Sequence, residues 1–146
     1  MLRPFTADDR AAYLQMAHEF YHSDAVDHPV PDAFLEKTAD AVLAGTPFAS
    51  IFLLETNGQT AGYALLAHTW SQEAGGEAVW VEELYVLPQF RGQGLGSAFF
   101  RELRGRFPEA ARFRLEIEPD NEKARALYAR MGYESLNYRQ MVLDNS

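Results

Sequence analysis

Apolar residues recur with different periods along this chain, and each change of period marks an element. Leu2–Phe5 reads as a short edge strand. Thr6 with Asp8 and Asp9 then looks like a helix start, a capping hydroxyl followed by acids in the first turn. Tyr13, Met16, Ala17, Phe20 and Tyr21 follow at helical spacing, and that helix should end near His22-Ser23-Asp24. Ala25–Pro31 reads as a loop because Pro29 and Pro31 interrupt it. Asp32 opens a second helix, with Phe34, Leu35, Thr38, Ala41, Val42 and Leu43 expected inward and Gly45 closing it.

The period then shortens. Phe48–Glu55 is apolar and β-rich, Asn57-Gly58 is a strong hairpin signal, and Ala61–Thr69 returns as the partner strand. Ser71–Glu77 reads as a polar loop. Val79–Val86 is a further strand, rich in β-branched and aromatic residues, and Pro88 stops it. Leu95, Phe99, Phe100 and Leu103 restore helical spacing up to Pro108. In Arg112–Glu118 the residues Phe113, Leu115 and Ile117 alternate with charged ones, which predicts a strand with one wet face. Asn121–Met131 is a helix capped by Asp120 or Asn121 and ended by Gly132, and Tyr138–Leu143 is a last strand. The order β-α-α-β-β-β-α-β-α-β predicts one α/β (α+β) domain over residues 1–146. Its mixed, mostly antiparallel sheet should carry helices on both faces.

Composition narrows the function. The 146 residues are 47% hydrophobic and 23% charged, ordinary values for a globular protein. No apolar run reaches the ~18 residues of a membrane span, and the N-terminus lacks a signal-peptide pattern, so a cytoplasmic protein without a membrane partner is expected. Absence of cysteine excludes disulfides, thiolate metal sites and a cysteine nucleophile. A net charge of −8 argues against nucleic acid. Its distribution is uneven: residues 1–90 carry 3 basic and 13 acidic groups, and residues 91–146 carry 10 and 8. Such a division suits an anionic cofactor bound from Arg91 onward and a cationic acceptor elsewhere. No metal site is expected, and the i, i+4 pair His18 and His22 should simply stand exposed or half-buried.

The chemistry concentrates in Val79–Arg104. Its strand, glycine loop and helix are the layout of an anion site: glycines allow close backbone approach, and N–H groups converge at the positive end of the helix dipole. A P-loop is excluded, since no lysine lies between Lys37 and Lys123, and Ser97 stands where GxGxxG needs its last glycine. The longer pattern Glu-Leu-Tyr-Val-x-Pro-x-Phe-Arg-Gly-x-Gly-x-Gly-Ser resembles the acetyl-CoA motif of the GNAT superfamily of N-acetyltransferases, with Arg91, Gly94 and Gly96 at its signature positions. Asn121-Glu122-Lys123-Ala124-Arg125-Ala126-Leu127-Tyr128-Ala129-Arg130-Met131-Gly132-Tyr133 is similar to the family's second cofactor motif. Asn121 and Tyr128, seven residues apart, fall within about 20° on one helix face.

The resemblance implies an acyltransferase that moves an acetyl group from acetyl-CoA, with no metal, to a primary amine on a small cation or a peptide. The amine attacks directly in a ternary complex. It implies cofactor contacts from Leu84, Tyr85, Val86, Arg91, Gly92, Gln93, Gly94, Leu95, Gly96, Ser97, Asn121 and Tyr128. It also implies that Tyr128 is the general acid beside the coenzyme A sulfur. Glu82 is the favoured base, four residues before Val86 and matching a glutamate of some polyamine-acetylating members. Glu83 is expected on the opposite face unless a bulge exchanges the two, and a water chain would make either unnecessary. A homodimer is an open option. The competing reading is a non-catalytic acyl-CoA-binding or regulatory domain.

Overall fold

The Asn57-Gly58 turn, with φ of +52° and +74°, joins β2 (Ala49–Thr56) to β3 (Gln59–Ser71) as a tight hairpin. A computed structural model describes every residue except Asp24, Ala25, Asp27 and Ser146, so part of the expected end of the first helix and of the following loop lies outside the described residues. The chain forms two compact units, Met1–Glu116 and Ile117–Ser146.

In the first unit five strands lie in the order β1-β2-β3-β4-β5, where β1 is Leu2–Pro4, β4 Gly76–Val86 and β5 Arg112–Leu115. All neighbours are antiparallel except β4 and β5, which are parallel. The expected loop over Ser71–Glu77 shrinks to a tight turn, because β3 and β4 stay paired as far as Ser71 and Gly76. Conversely, β5 stops at Leu115, short of the predicted Glu118.

Strand alternation sorts the two faces. Ile51, Leu53, Tyr63 and Tyr85 pack with Tyr13, Met16 and Ala17 of α1 (Arg10–Tyr21) and Leu35 and Ala39 of α2 (Asp32–Leu43). The opposite face receives α3 (Leu95–Arg106): the Phe107 ring just after it meets Phe52 at 6.0 Å, and the Arg106 guanidinium lies over Phe52. Asp9 accepts from the Thr6 N–H at 2.8 Å, so the expected helix start holds, with a 3-10 turn over Ala7–Asp9 leading into α1. On α2 the inward stripe is Leu35, Ala39 and Val42. Phe34, Ala41 and Leu43, expected inward, are exposed because each is about 100° off that stripe.

Gly62 marks the tightest point of the sheet. A Cβ there would stand 2.0 Å from the Tyr85 carbonyl oxygen and 3.0 Å from the Val86 Cα, both backbone atoms. Gly62→Ala should therefore cost about 3 kcal/mol or more, seen as a lower urea midpoint with an unchanged m-value.

The second unit is built on α4 (Glu122–Arg130). Asn121 caps it, its Oδ1 accepting from the Ala124 N–H at 3.0 Å, and Gly132 follows with φ +95°. The predicted last strand over Tyr138–Leu143 does not form. Tyr138 and Val142 have β propensity, but the apolar run Met141, Val142 and Leu143 has no two-residue alternation to bury one face, and these three stand 98%, 85% and 91% exposed.

Candidate active site

Two irregularities coincide in β4. Its register with β3 slips by one residue, Leu66 facing Val81 and Leu65 facing Glu83, so Glu82 is the extra residue of a β-bulge. Its pairing with β5 ends at the same place, with Val81 opposite Leu115. A bulge sharpens local twist, which turns β4 away from a parallel neighbour. From Glu82 to Val86, β4 keeps β3 on one side and, among the described residues, pairs with no strand on the other.

Backbone alternation shows which groups that edge presents. Leu87 donates its N–H to the Ala61 carbonyl at 2.8 Å, so the groups of Tyr85 and Glu83 also point to β3. The N–H and C=O groups of Leu84 and Val86 then face outward. Arg91 takes one of them: its Nε donates to the Val86 carbonyl at 2.8 Å, and its guanidinium lies 5.5 Å from the Tyr85 ring centroid. Arg91 thus braces the strand end next to the loop it opens.

Gly92 and Gly94 both adopt φ +77°, a conformation that disfavours any side chain. Gly94 leads into α3, whose first helical bond runs from the Ala98 N–H to the Gly94 carbonyl. The N–H groups of Leu95, Gly96 and Ser97 precede that bond and have no partner within the helix. A Cβ at Gly92, Gly94 or Gly96 would meet nothing within 4 Å. This face of the loop is open, with its amides at the positive end of the helix.

Three carboxylates surround the bulge. Glu82 is solvent-exposed at its tip, yet partial desolvation raises its pKa above the ordinary 4.5, with Glu116 and then Glu83 adding to the rise. Glu116 follows Leu115, the last residue of β5 paired with β4, and its charge acts on Glu82. Glu83 is different: only 8% exposed, it accepts from the Tyr63 hydroxyl at 2.7 Å on one oxygen and from the Tyr21 hydroxyl on the other. Burial raises its pKa and the two bonds oppose that rise. Beside it, Tyr85 donates to Glu19 at 2.9 Å. Tyr21 and Glu19 belong to α1, so two hydroxyl–carboxylate bonds tie that helix to β4.

This tyrosine–glutamate cluster was not foreseen from the sequence. Tyr21 and Glu83 are 62 residues apart, and the only local hint was a charged residue at an alternating position of an apolar strand. Of the predicted site residues, Glu82, Leu84–Val86 and Arg91–Ser97 lie together in the first unit. Asn121 and Tyr128 lie in the second. There Asn121 serves as the α4 cap. Tyr128 is partly buried, with its ring edge-on to Tyr133 at 6.0 Å, and burial raises its phenol pKa.

The model of the acetyltransferase (GNAT) family matches residues 12–133. The chain belongs to the GNAT family. The match includes the β4 bulge, the glycine loop and α4, the segments on which the sequence resemblance rested. The uncharacterized N-acetyltransferase YesJ of Bacillus subtilis (strain 168) is 36% identical over 67 residues, 44% of this chain and 37% of that protein. Thialysine N-epsilon-acetyltransferase of Mus musculus is 33% identical over 76 residues, 51% of this chain and 42% of the relative. The chain therefore spans less than half the length of these two curated relatives. The structure of AAC(6')-Iy in complex with the bisubstrate analog CoA-S-monomethyl-acetylneamine superposes with a TM-score of 0.78 at 14% identity, covering 100% of this chain and 98% of that one. At that identity the likeness is one of fold. Among the described residues, no helix is long and apolar enough to cross a membrane.

Proposed function

We propose that this chain transfers the acetyl group of acetyl-CoA to a primary amine, on a small cation or a peptide, by direct attack of the amine while both substrates are bound. One observation carries the reading. The edge of β4 is left without a strand partner beside a glycine loop whose open face meets the N-terminus of α3. That combination suits a long, thin ligand with a phosphate at one end and a carbonyl at the other. The name of the thialysine relative and the CoA analog held by AAC(6')-Iy support an amine acceptor and CoA.

Acetyl-CoA supplies an acyl thioester. In this reading the amides of the Arg91–Ser97 loop and first helical turn hold its pyrophosphate, with Gly92 and Gly94 allowing close approach. The outward N–H groups of Leu84 and Val86, on either side of Tyr85, align the acyl arm and donate to the carbonyl oxygen as its charge grows. An alkylamine has a pKa near ~10 and must lose a proton to attack. Glu82, raised toward neutrality by desolvation, takes that proton, and Tyr128 gives one to the departing thiolate. Asn121 fixes the start of α4, and the Tyr21–Glu83–Tyr63 clamp holds the residue after the bulge, which fixes the direction of Glu82.

The test has two parts. A thermal-shift panel should show stabilisation by acetyl-CoA and CoA and none by ATP or NAD. Saturation at 100 times Kd corresponds to about 2.7 kcal/mol. Free-thiol detection over a set of amines should then show CoA release with at least one primary amine. Stabilisation without release from any amine would leave a binding domain and overturn the transferase. Gly94→Val checks the loop itself. The protein leaves room for the new side chain, but a β-branched residue at φ +77° is strained and points into the open face. Acetyl-CoA Kd should rise about tenfold or more, a loss of about 1.4 kcal/mol, while circular dichroism stays native.

A further inference from the structure

His18-Glu19-Phe20-Tyr21-His22, at the C-terminal end of α1, spells H-E-x-x-H, and neither histidine has a part in the chemistry above. The imidazole geometry goes beyond the letters. His18 Nδ1 lies 2.8 Å from Asp32 Oδ1, and His22 Nδ1 lies 2.7 Å from the His18 carbonyl oxygen. A carboxylate and a carbonyl only accept, so both Nδ1 atoms carry hydrogen. In the neutral rings the lone pair is then on each Nε2. The two rings are stacked, with centroids 4.0 Å apart and planes 23° apart. Residues i and i+4 share one helix face, so the two rings stand together there, and both side chains are exposed.

Metal-bound imidazoles are commonly held in this way, with the distal nitrogen anchored by a carboxylate or backbone carbonyl that fixes the tautomer and raises ligand basicity. Here one anchor is of each kind. Two nitrogens bound to one ion at ~2.0–2.1 Å stand roughly 3.0–3.5 Å apart with both ring planes meeting at the ion, so binding opens the stack while the i, i+4 spacing keeps the two rings within reach. We propose that His18 and His22 form a two-histidine binding site for a late first-row divalent metal ion of the zinc, nickel or copper class. Imidazole donors suit those ions and not magnesium or calcium, which prefer oxygen.

Among the described residues, no group of three or more His, Cys, Asp or Glu side chains could hold a metal, so water completes the coordination. Glu19 is not placed as the base of a metal-bound water, because it accepts from the Tyr85 hydroxyl. The site is a staple at the end of the helix. A bound ion would stiffen the last turn of α1, which supplies Tyr21 to the Glu83 clamp and Glu19 to Tyr85.

The experiment uses the chain without a polyhistidine tag, stripped of metal, with ZnCl2 and NiCl2 titrated by calorimetry. One ion should bind per chain, MgCl2 should give no binding heat, and His18→Asn and His22→Asn should each weaken binding at least tenfold. Asp32→Asn leaves both ligands in place and should still weaken binding about tenfold or more, through lost second-sphere support. A second readout needs no variant: on zinc addition the Nε2 resonances of His18 and His22 should move in the nitrogen NMR spectrum, while those of His28 and His68 stay. Absence of binding below millimolar ion, binding unchanged in both histidine variants, or movement of other histidines instead would overturn the site. None of these measurements involves acetyl-CoA, so their outcome is independent of the acetyltransferase assay.

Discussion

Tyr128→Phe is expected to lower kcat by ~10²–10⁴-fold while changing acetyl-CoA affinity far less. The substitution removes one oxygen and keeps the ring, so the edge-on contact with Tyr133 at 6.0 Å survives. Burial raises the phenol above its ordinary pKa of 10.0, so the hydroxyl holds its proton at neutral pH and has it available for a leaving group. The proton is needed in the transition state and not for binding, which places the effect on kcat. Leaving-group basicity sharpens the test. An acyl donor whose thiol is more acidic needs less help to depart and should partly rescue the variant. Wild-type kcat in a chemistry-limited assay would retire Tyr128 as the acid and leave it as a packing residue of α4.

Glu82→Gln should have the second-largest effect, and its pH dependence identifies the role. A general base works only when deprotonated, so wild-type kcat/KM should rise with pH through the Glu82 pKa. Desolvation, Glu116 and Glu83 all raise that pKa above 4.5, which moves the rising limb toward neutrality. The variant should lose this limb, fall ~10²-fold or more near pH 7, and recover as alkaline solution deprotonates the amine without help. A parallel loss at every pH would instead assign Glu82 to substrate binding or to the bulge. Glu83 cannot simply replace it, because both its oxygens already accept from tyrosines.

Much of this was legible in the chain because the signals are local. Asn57-Gly58 needs only its own backbone preference to predict a hairpin, and Gly92 and Gly94 announce their left-handed turns in the same way. The apolar spacing of α1 and α3 located both helices. What stayed hidden depends on pairing between distant segments. The sequence Glu-Glu in β4 cannot tell which residue is the bulged one, since that is decided by register against Leu65 and Leu66. The length of β5 is likewise set by its neighbour: Ile117 continues its alternation, but the pairing with β4 ends at Val81 and Leu115. For the same reason Tyr138–Leu143 looked like a strand and is not one, as propensity alone provides no ladder to join. The Glu83 clamp needed three elements brought together before any of its members had a partner. The histidine pair was visible as spacing, but its tautomers became readable only with Asp32 and the His18 carbonyl in place.

The free stretch of β4 also explains what the sheet must refuse. An exposed strand edge is a template for any other strand, including one from another copy, and proteins usually blunt such edges with charge, proline or a bulge. This edge is blunted at both ends: Glu82 supplies a charge and the bulge at one, and Pro88, which has no N–H, follows at the other. Between them remain five residues, too few for a durable intermolecular ladder yet, in the proposed function, long enough to grip an extended, amide-bearing arm. In the proposed function, the same guards that leave this edge to a slender ligand also blunt it against strands of other copies.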